Sequence, residues 1–238
     1  MINKPAQGAD LPSLAQIPRP SVADQVFEVL QRKILSLDLA PGMKLSEAEV
    51  AARMGVSRQP VRDAFYRLSQ LGFLHIRPQR ATTVSLISEA AILQARFIRT
   101  ALETETCRTA CLTLTPEDIA ALDALIADQR AAHKAQDRAR FHALDDQFHR
   151  EICIRSGAGF AWDLIQDSKA HMDRVRMLSL TFASPQVLAD HRAILDAIAA
   201  GDHATATAAM REHLGRIATL VDQLKKTNHS WFADGGLS

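Results

Sequence analysis

Four residues on three stretches of this 238-residue sequence have the types and spacing to hold a metal ion. Asp145 and His149 stand four apart in DDQFHRE, so a helix presents both on one face. His191 lies in DHRAILDAIAAGD beside Ile194, Leu195 and Ile198, and His213 lies in AMREHLGRI beside Met210, Leu214 and Ile217. Each is therefore placed on a helix among residues that read as buried. Three imidazoles and one carboxylate brought together inside a helical bundle suit a divalent transition metal. Taken singly, each histidine reads better as a hydrogen-bonded core residue, and Asp145 with His149 as a surface pair or helix-stabilising contact. Cys107 and Cys111 are also four apart, but no third soft ligand accompanies them and packing is the simpler role.

A second set of residues could read a base sequence. From Leu45 to Leu71 the chain runs LSEAEVAARMGVSRQPVRDAFYRLSQL. Ser46 and Glu49 form a capping box that starts one helix, Gly55 stands where a left-handed residue would end it, and Ser57 can cap a second helix that tolerates Pro60 in its first turn. Val61, Phe65, Leu68 and Leu71 make the buried stripe of that second helix, which leaves Arg58, Gln59 and Arg62 on its N-terminal turns. In a helix-turn-helix those turns enter the major groove, where arginine recognises guanine and glutamine recognises adenine. Standing alone, the same residues describe an ordinary solvated helix.

The elements around both sets decide how they are positioned. An amphipathic helix is expected over Gln25 to Leu39, and two extended runs, Phe73 to Arg77 and Thr82 to Leu86, flank Pro78-Gln79-Arg80-Ala81 as a wing with a basic tip. Helix, helix-turn-helix and wing make a winged helix. From Ser88 the pattern becomes helical throughout: Ser88 to Leu112, Thr115 to Ala135, Asp137 to Arg155, Trp162 to Leu180, Ser184 to Gly201, and Asp202 or His203 to Thr227. The expected fold is mainly α, an N-terminal winged helix-turn-helix followed by an all-α antiparallel helical bundle. The expected divisions are a flexible arm at 1–20, the DNA-binding unit at 21–86, the helical unit at 88–228 and a loose tail at 229–238.

Composition agrees with that division. The net charge is only +1, but residues 1–80 hold eleven Lys and Arg against seven Asp and Glu, so the basic excess lies in the unit expected to meet DNA. No apolar run approaches the roughly 20 residues that cross a bilayer, and no membrane partner is expected. Three cysteines are too few for a disulfide framework, and the N-terminus lacks the pattern of a secretory signal, so a cytoplasmic location is expected.

The stretch PGMKLSEAEVAARMGVSRQPVRDAFYRLSQLGFL resembles the GntR family of bacterial transcription regulators. DxxFH, then HRxILxAIxxGD, then MxxHL resemble the ligand-binding FCD domain of its FadR subfamily, over about Ser88 to Leu224. The resemblance implies that Arg58, Gln59 and Arg62 contact bases and phosphates, with Arg53 and Arg80 supporting them; Ala81 stands where a wing glycine is common. It implies that Asp145, His149, His191 and His213 hold a divalent transition metal, zinc first with nickel or manganese as alternatives, with positions left open for an effector carboxylate. Arg99, in RTALE, falls where the family places an arginine facing the pocket; an intrahelical pair with Glu103 is the alternative. Arg174 and Arg176 are weaker candidates for the same role, and His142 and His171 read as surface or outer groups. The implied protein is a regulator, more a repressor than an activator, working as a homodimer on double-stranded DNA at a palindromic operator and answering to a small carboxylic or sugar acid. Two rivals stand beside it: a metal-dependent enzyme acting on a small acid, and a DNA-binding regulator with a purely structural metal.

Overall fold

A computed structural model describes residues 20–77 and 81–233. The expected arm, the end of the expected tail, and the wing tip Pro78 to Arg80 with its Arg80 contact lie outside the described residues.

The first unit begins with α1 (Val22–Leu35), opened by a reciprocal capping box between Ser21 and Asp24. It ends earlier than expected, because Leu37 takes a left-handed backbone (φ 66°) ahead of Pro41 and Gly42. α2 (Glu47–Met54) starts at Ser46, whose hydroxyl accepts from the Glu49 N–H; the return half of the box does not form, because the Glu49 carboxylate turns to Arg53 at 2.8 Å. Gly55 closes α2 in the left-handed region (φ 65°), as the sequence requires. Nothing lies within 4 Å of a Cβ added there, so the penalty for a side chain is purely conformational. Gly55→Ala is expected to cost about 1–2 kcal/mol, read as a lower urea midpoint for the winged helix.

α3 (Arg58–Gln70) follows, with Ser57 at the cap position but making no side-chain cap bond. Val61, Ala64, Phe65 and Leu68 are fully buried and pack with Val26, Leu30 and Ile34 of α1 into one core. The wing is a three-stranded antiparallel sheet in the order β1 (Lys44–Leu45), β3 (Thr82–Val84), β2 (Leu74–His75), with Lys44 opposite Thr83 and Leu74 opposite Val84. The first strand was not expected, since two residues are too short for a period to show.

The second unit is helical: α4 (Glu89–Thr113), α5 (Pro116–Lys134), α6 (Arg138–Arg155), α7 (Gly159–Ser168), α8 (Ala170–Ala199), α9 (His203–Gly215) and α10 (Ile217–Thr227). Two expected boundaries are corrected. A break at Ser184-Pro185 does not occur: α8 runs through Pro185, and the Ser184 hydroxyl donates to the Leu180 carbonyl at 2.6 Å, one residue before the carbonyl that proline leaves without its donor. The break falls instead before α8, at Lys169, whose ammonium is held by Asp146 (2.6 Å) and Asp173 (2.5 Å). The single last helix is divided at Arg216, which Asp190 and Glu212 grip from its side chain. The start of the expected loose tail is also ordered. His229–Trp231 form a 3-10 turn, and Phe232 is buried and bridges to Ile87 in the linker between the units. Cys107, Ala110, Ile126, Phe148, Ile152, Ile194, Leu195, Met210 and Leu214 form the main core of the bundle.

A candidate metal centre and a nucleic-acid face

Each helix that bears a candidate ligand contributes core residues on the same stripe, so burying Phe148 and Ile152, Ile194 and Leu195, and Met210 and Leu214 turns His149, His191 and His213 inward with them. The ligand atoms of Asp145, His149, His191 and His213 all lie within 4.8 Å of one another, on α6, α8 and α9. Asp145 and His149 are buried, His191 is fully buried, and His213 is nearly so.

The outer nitrogens reveal how the rings are set. His149 Nδ1 is 2.5 Å from Glu103 Oε2, His213 Nδ1 is 3.2 Å from Asp190 Oδ2, and His191 Nδ1 is 2.9 Å from Gln129 Oε1. With the proton of each ring on the Nδ1 that faces an oxygen, each Nε2 presents a lone pair. Those lone pairs face one another: His149 Nε2 and His213 Nε2 are 3.2 Å apart, and His191 Nε2 sits 3.5 Å from Asp145 Oδ1 without a hydrogen bond. Acceptors gathered in this way, with no proton to share, are stabilised by a cation among them. Burial pushes His213 down to about 4 and His191 well below its ordinary value, so both are neutral at pH 7 and need lose no proton to bind metal. The residues present therefore fit a divalent transition metal.

Glu103, Gln129 and Asp190 are invisible to motif reading, because each lies on a different helix from the ring it orients; Glu103 alone had a signal, as the partner expected for Arg99. Glu103 does bridge the two. Its Oε1 accepts from Arg99 Nε at 2.6 Å while its Oε2 faces His149, and although burial would raise its pKa, those two groups hold it well below the carboxylate range. Glu103→Gln leaves one amide to face two donors, so one of the bonds is lost. Metal affinity is expected to fall by about 10–100-fold, measured by competition with a chromogenic chelator.

Arg99 thus makes the intrahelical pair and, in addition, lines a cavity of about 280 Å³ together with His213, Arg176, Met172, Leu214 and Gln223. Its Nη2 is buried without a hydrogen-bond partner among the described residues. Arg176 contacts Asp145, and also Asp146 (3.0 Å) and Asp173 (3.4 Å). Arg174 does not line this cavity, and neither His142 nor His171 is a plain surface group. His142 lies 3.5 Å from Asp173, and His171 sits at the joint between the units. A second grouping of His142, Asp146 and Asp173 is already neutralised by Lys169 and Arg176. Cys107 is buried in the core, where burial raises its thiol pKa, in keeping with packing.

On the first unit, Arg58, Gln59 and Arg62 project from the exposed side of α3, with Tyr66 (61% exposed) extending that face by one turn. Tyr66 was missed because it lies next to the buried Phe65 and carries no charge. Gln59 is held to Asp63 at 2.8 Å, Arg62 to Glu47 at 3.3 Å, and Arg53 to Glu49. All are surface pairs that water or a phosphate can replace at little cost.

A winged helix with an exposed polar face on α3, joined to a bundle with a histidine-lined interior, defines a DNA-binding transcription regulator. Residues 22–84 match the model of the bacterial regulatory proteins of the gntR family, and residues 94–216 match the FCD domain. The chain belongs to the GntR family and carries its helix-turn-helix and FCD domains in that order. It is 37% identical to the HTH-type transcriptional repressor RspR of Escherichia coli over 91% of this chain and 96% of that one. It is 36% identical to an HTH-type regulator of Streptomyces ambofaciens over 87% and 88%. The structure of E. coli McbR/YncC has the same fold, with a TM-score of 0.70 at 24% identity over 85% of this chain and 98% of that one. The family and these relatives are regulators and not enzymes, which removes the metal-dependent enzyme as a reading. No helix among the described residues is long and apolar enough to cross a membrane.

Proposed function

We propose that this chain is a cytoplasmic, homodimeric transcriptional repressor whose affinity for a palindromic operator is set by a small carboxylic or sugar acid bound beside a divalent metal, zinc first. Residues 21–86 are the DNA-binding unit and 88–228 the effector-binding and dimerising unit. The observation that carries this reading is the set of three bare imidazole nitrogens and one carboxylate opening, through His213, onto a cavity that Arg99 also lines. A metal held by Asp145, His149, His191 and His213 supplies coordination positions for a carboxylate. The unpartnered Arg99 Nη2 supplies a second grip, and guanidinium suits a carboxylate better than ammonium does. Arg58, Gln59 and Arg62 read the operator, and Arg53 and Arg80 bind its backbone. RspR is named a repressor, and the shared architecture supports the same sign here.

The dimer has a face available to it. Leu93 and Phe97 on α4 and Phe160 and Leu164 on α7 are exposed apolar side chains on helices that pack together, with Phe97 76% and Phe160 68% exposed. Large apolar groups of this kind mark an interface, and a two-fold axis lets one patch cover itself. Phe97→Asp combined with Phe160→Asp is expected to give a monomer by light scattering; a dimer of unchanged mass would move the interface elsewhere.

The test of the whole reading is elemental analysis of the purified protein with a thermal-shift screen of carboxylic and sugar acids, with and without chelator. A bound metal, and an acid whose stabilisation vanishes with chelator, are expected. Metal without any responsive acid would favour a purely structural ion.

A further inference from the structure

The face of α8 turned toward the DNA-binding unit carries a buried charge that the metal and the cavity do not use. Arg174 is fully buried, yet its guanidinium makes a single hydrogen bond, from Nη2 to the Ser85 carbonyl at 2.9 Å. Among the described residues its Nε and Nη1 have no hydrogen-bond partner, and burial lowers it to about 10 with no carboxylate among them opposing. One turn earlier, His171 Nδ1 faces the Ser88 N–H at 3.4 Å, and its Nε2 lies 3.0 Å from where a Cβ on Gly72 would stand. Burial, Arg174 and His75 hold His171 at about 4, so it is neutral and accepts through Nδ1. Ser85 ties the same point to the recognition helix. Its hydroxyl donates to the Gly72 carbonyl just past the end of α3, and its N–H donates to the Phe73 carbonyl at 2.9 Å. Ala170, at the start of α8, packs against the winged-helix core.

A buried guanidinium with two empty donors is costly, and an apolar side chain of similar length would pack there at no loss of stability. What the cation adds is a fixed geometry at the linker 85–88, beside the apolar packing of Ala170 on the winged-helix core that also joins the two units. We propose that Arg174 and His171 form a clamp that fixes the angle of the winged helix on the helical unit, and so the half-site spacing that the dimer reads. Met172 and Arg176, on the same turns of α8, line the cavity, so the helix that carries the clamp also borders the cavity. The spacing part rests on the homodimer proposed above; the clamp itself does not.

The experiment uses the full chain and its Arg174→Met and His171→Ala variants. Duplexes selected from random sequence by the wild-type protein are remade with the half-site spacer one or two base pairs longer and shorter. Anisotropy is expected to show a wild-type preference of about 10-fold for one spacer, shrinking to within about 3-fold in Arg174→Met, with the affinity for a single half-site unchanged. The melting temperature of Arg174→Met is expected to be equal or higher. Hydrogen exchange at the Phe73, Ser85 and Ile87 amides is expected to be about 10-fold faster in both variants, while the bundle core is unaffected. Unchanged exchange at those three amides overturns the clamp, and an unchanged spacer preference in a confirmed dimer overturns its role in operator reading. Should the wild-type chain prove monomeric, the homodimer reading falls while exchange at the joint still decides the clamp. A lower melting temperature with faster exchange everywhere would reduce Arg174 to a structural residue and would also overturn the proposal.

Discussion

His213→Ala is expected to strip the protein of its metal while leaving it folded. Loss of a group that merely orients a ligand costs about 10–100-fold in metal affinity, so loss of the ligand itself exceeds about 100-fold. The fold survives because the truncation strands no charge. Asp190, which receives His213 Nδ1, keeps Arg216 at 2.8 and 3.1 Å, and its carboxyl is already held at about 2 by several donors despite partial burial. His191→Ala would have the same effect on metal but would also open a hole against the stacked Phe148 ring in a fully packed core, which makes it the poorer probe. No residue of α9 belongs to the winged-helix core, so operator binding by the variant persists at least in part. Metal content by mass spectrometry, with far-ultraviolet circular dichroism as the folding control, reads the outcome. Full occupancy in a folded His213→Ala protein would remove His213 from the ligand set.

Arg62→Ala carries the largest expected effect on DNA binding. The side chain is 60% exposed and pairs only with Glu47, itself a third exposed, so its removal leaves the winged-helix core intact. An exposed pair of this kind contributes about 0–1 kcal/mol and is readily exchanged for a base edge or a phosphate. If Arg62 reads a base, operator affinity drops by about 1–3 kcal/mol and discrimination at that base pair relaxes. If it meets a phosphate, affinity falls alike on all sequences and the salt dependence becomes shallower by about one unit of slope. Fluorescence anisotropy on specific and scrambled duplexes across salt separates the two. Unchanged affinity on every duplex would place Arg62 outside the interface.

Local signals carried most of what could be read in advance. Gly55 needed a left-handed backbone, Ser88, Thr115 and Asp137 capped their helices, and the stripe through Val61, Phe65 and Leu68 pointed the neighbouring arginines outward, because each depends on residues within a few positions. The convergence of Asp145, His149, His191 and His213 depends on how three helices pack, and only a family resemblance suggested it. Their outer partners Glu103, Gln129 and Asp190 come from α4, α5 and α8, with no period or motif linking them to the rings they hold. The same limit applies at Pro185. Proline predicts a break from backbone chemistry alone, whereas α8 continues through Pro185, and the interruption falls instead at Lys169, whose ammonium pairs with carboxylates on two other turns. Arg174 is the extreme case, since a buried cation facing a backbone carbonyl leaves no trace in sequence pattern.

The most direct measurement is operator affinity of the full chain loaded with zinc, with and without the acid that best stabilises it in the thermal-shift screen. Coupling between two sites is a differential affinity between states, and a change of about 5–150-fold in operator affinity is expected, abolished in His213→Ala and in Arg99→Met. An acid that binds with chelator-sensitive affinity yet leaves operator affinity unchanged would contradict the central claim, because the cavity and the DNA-binding face would then be independent.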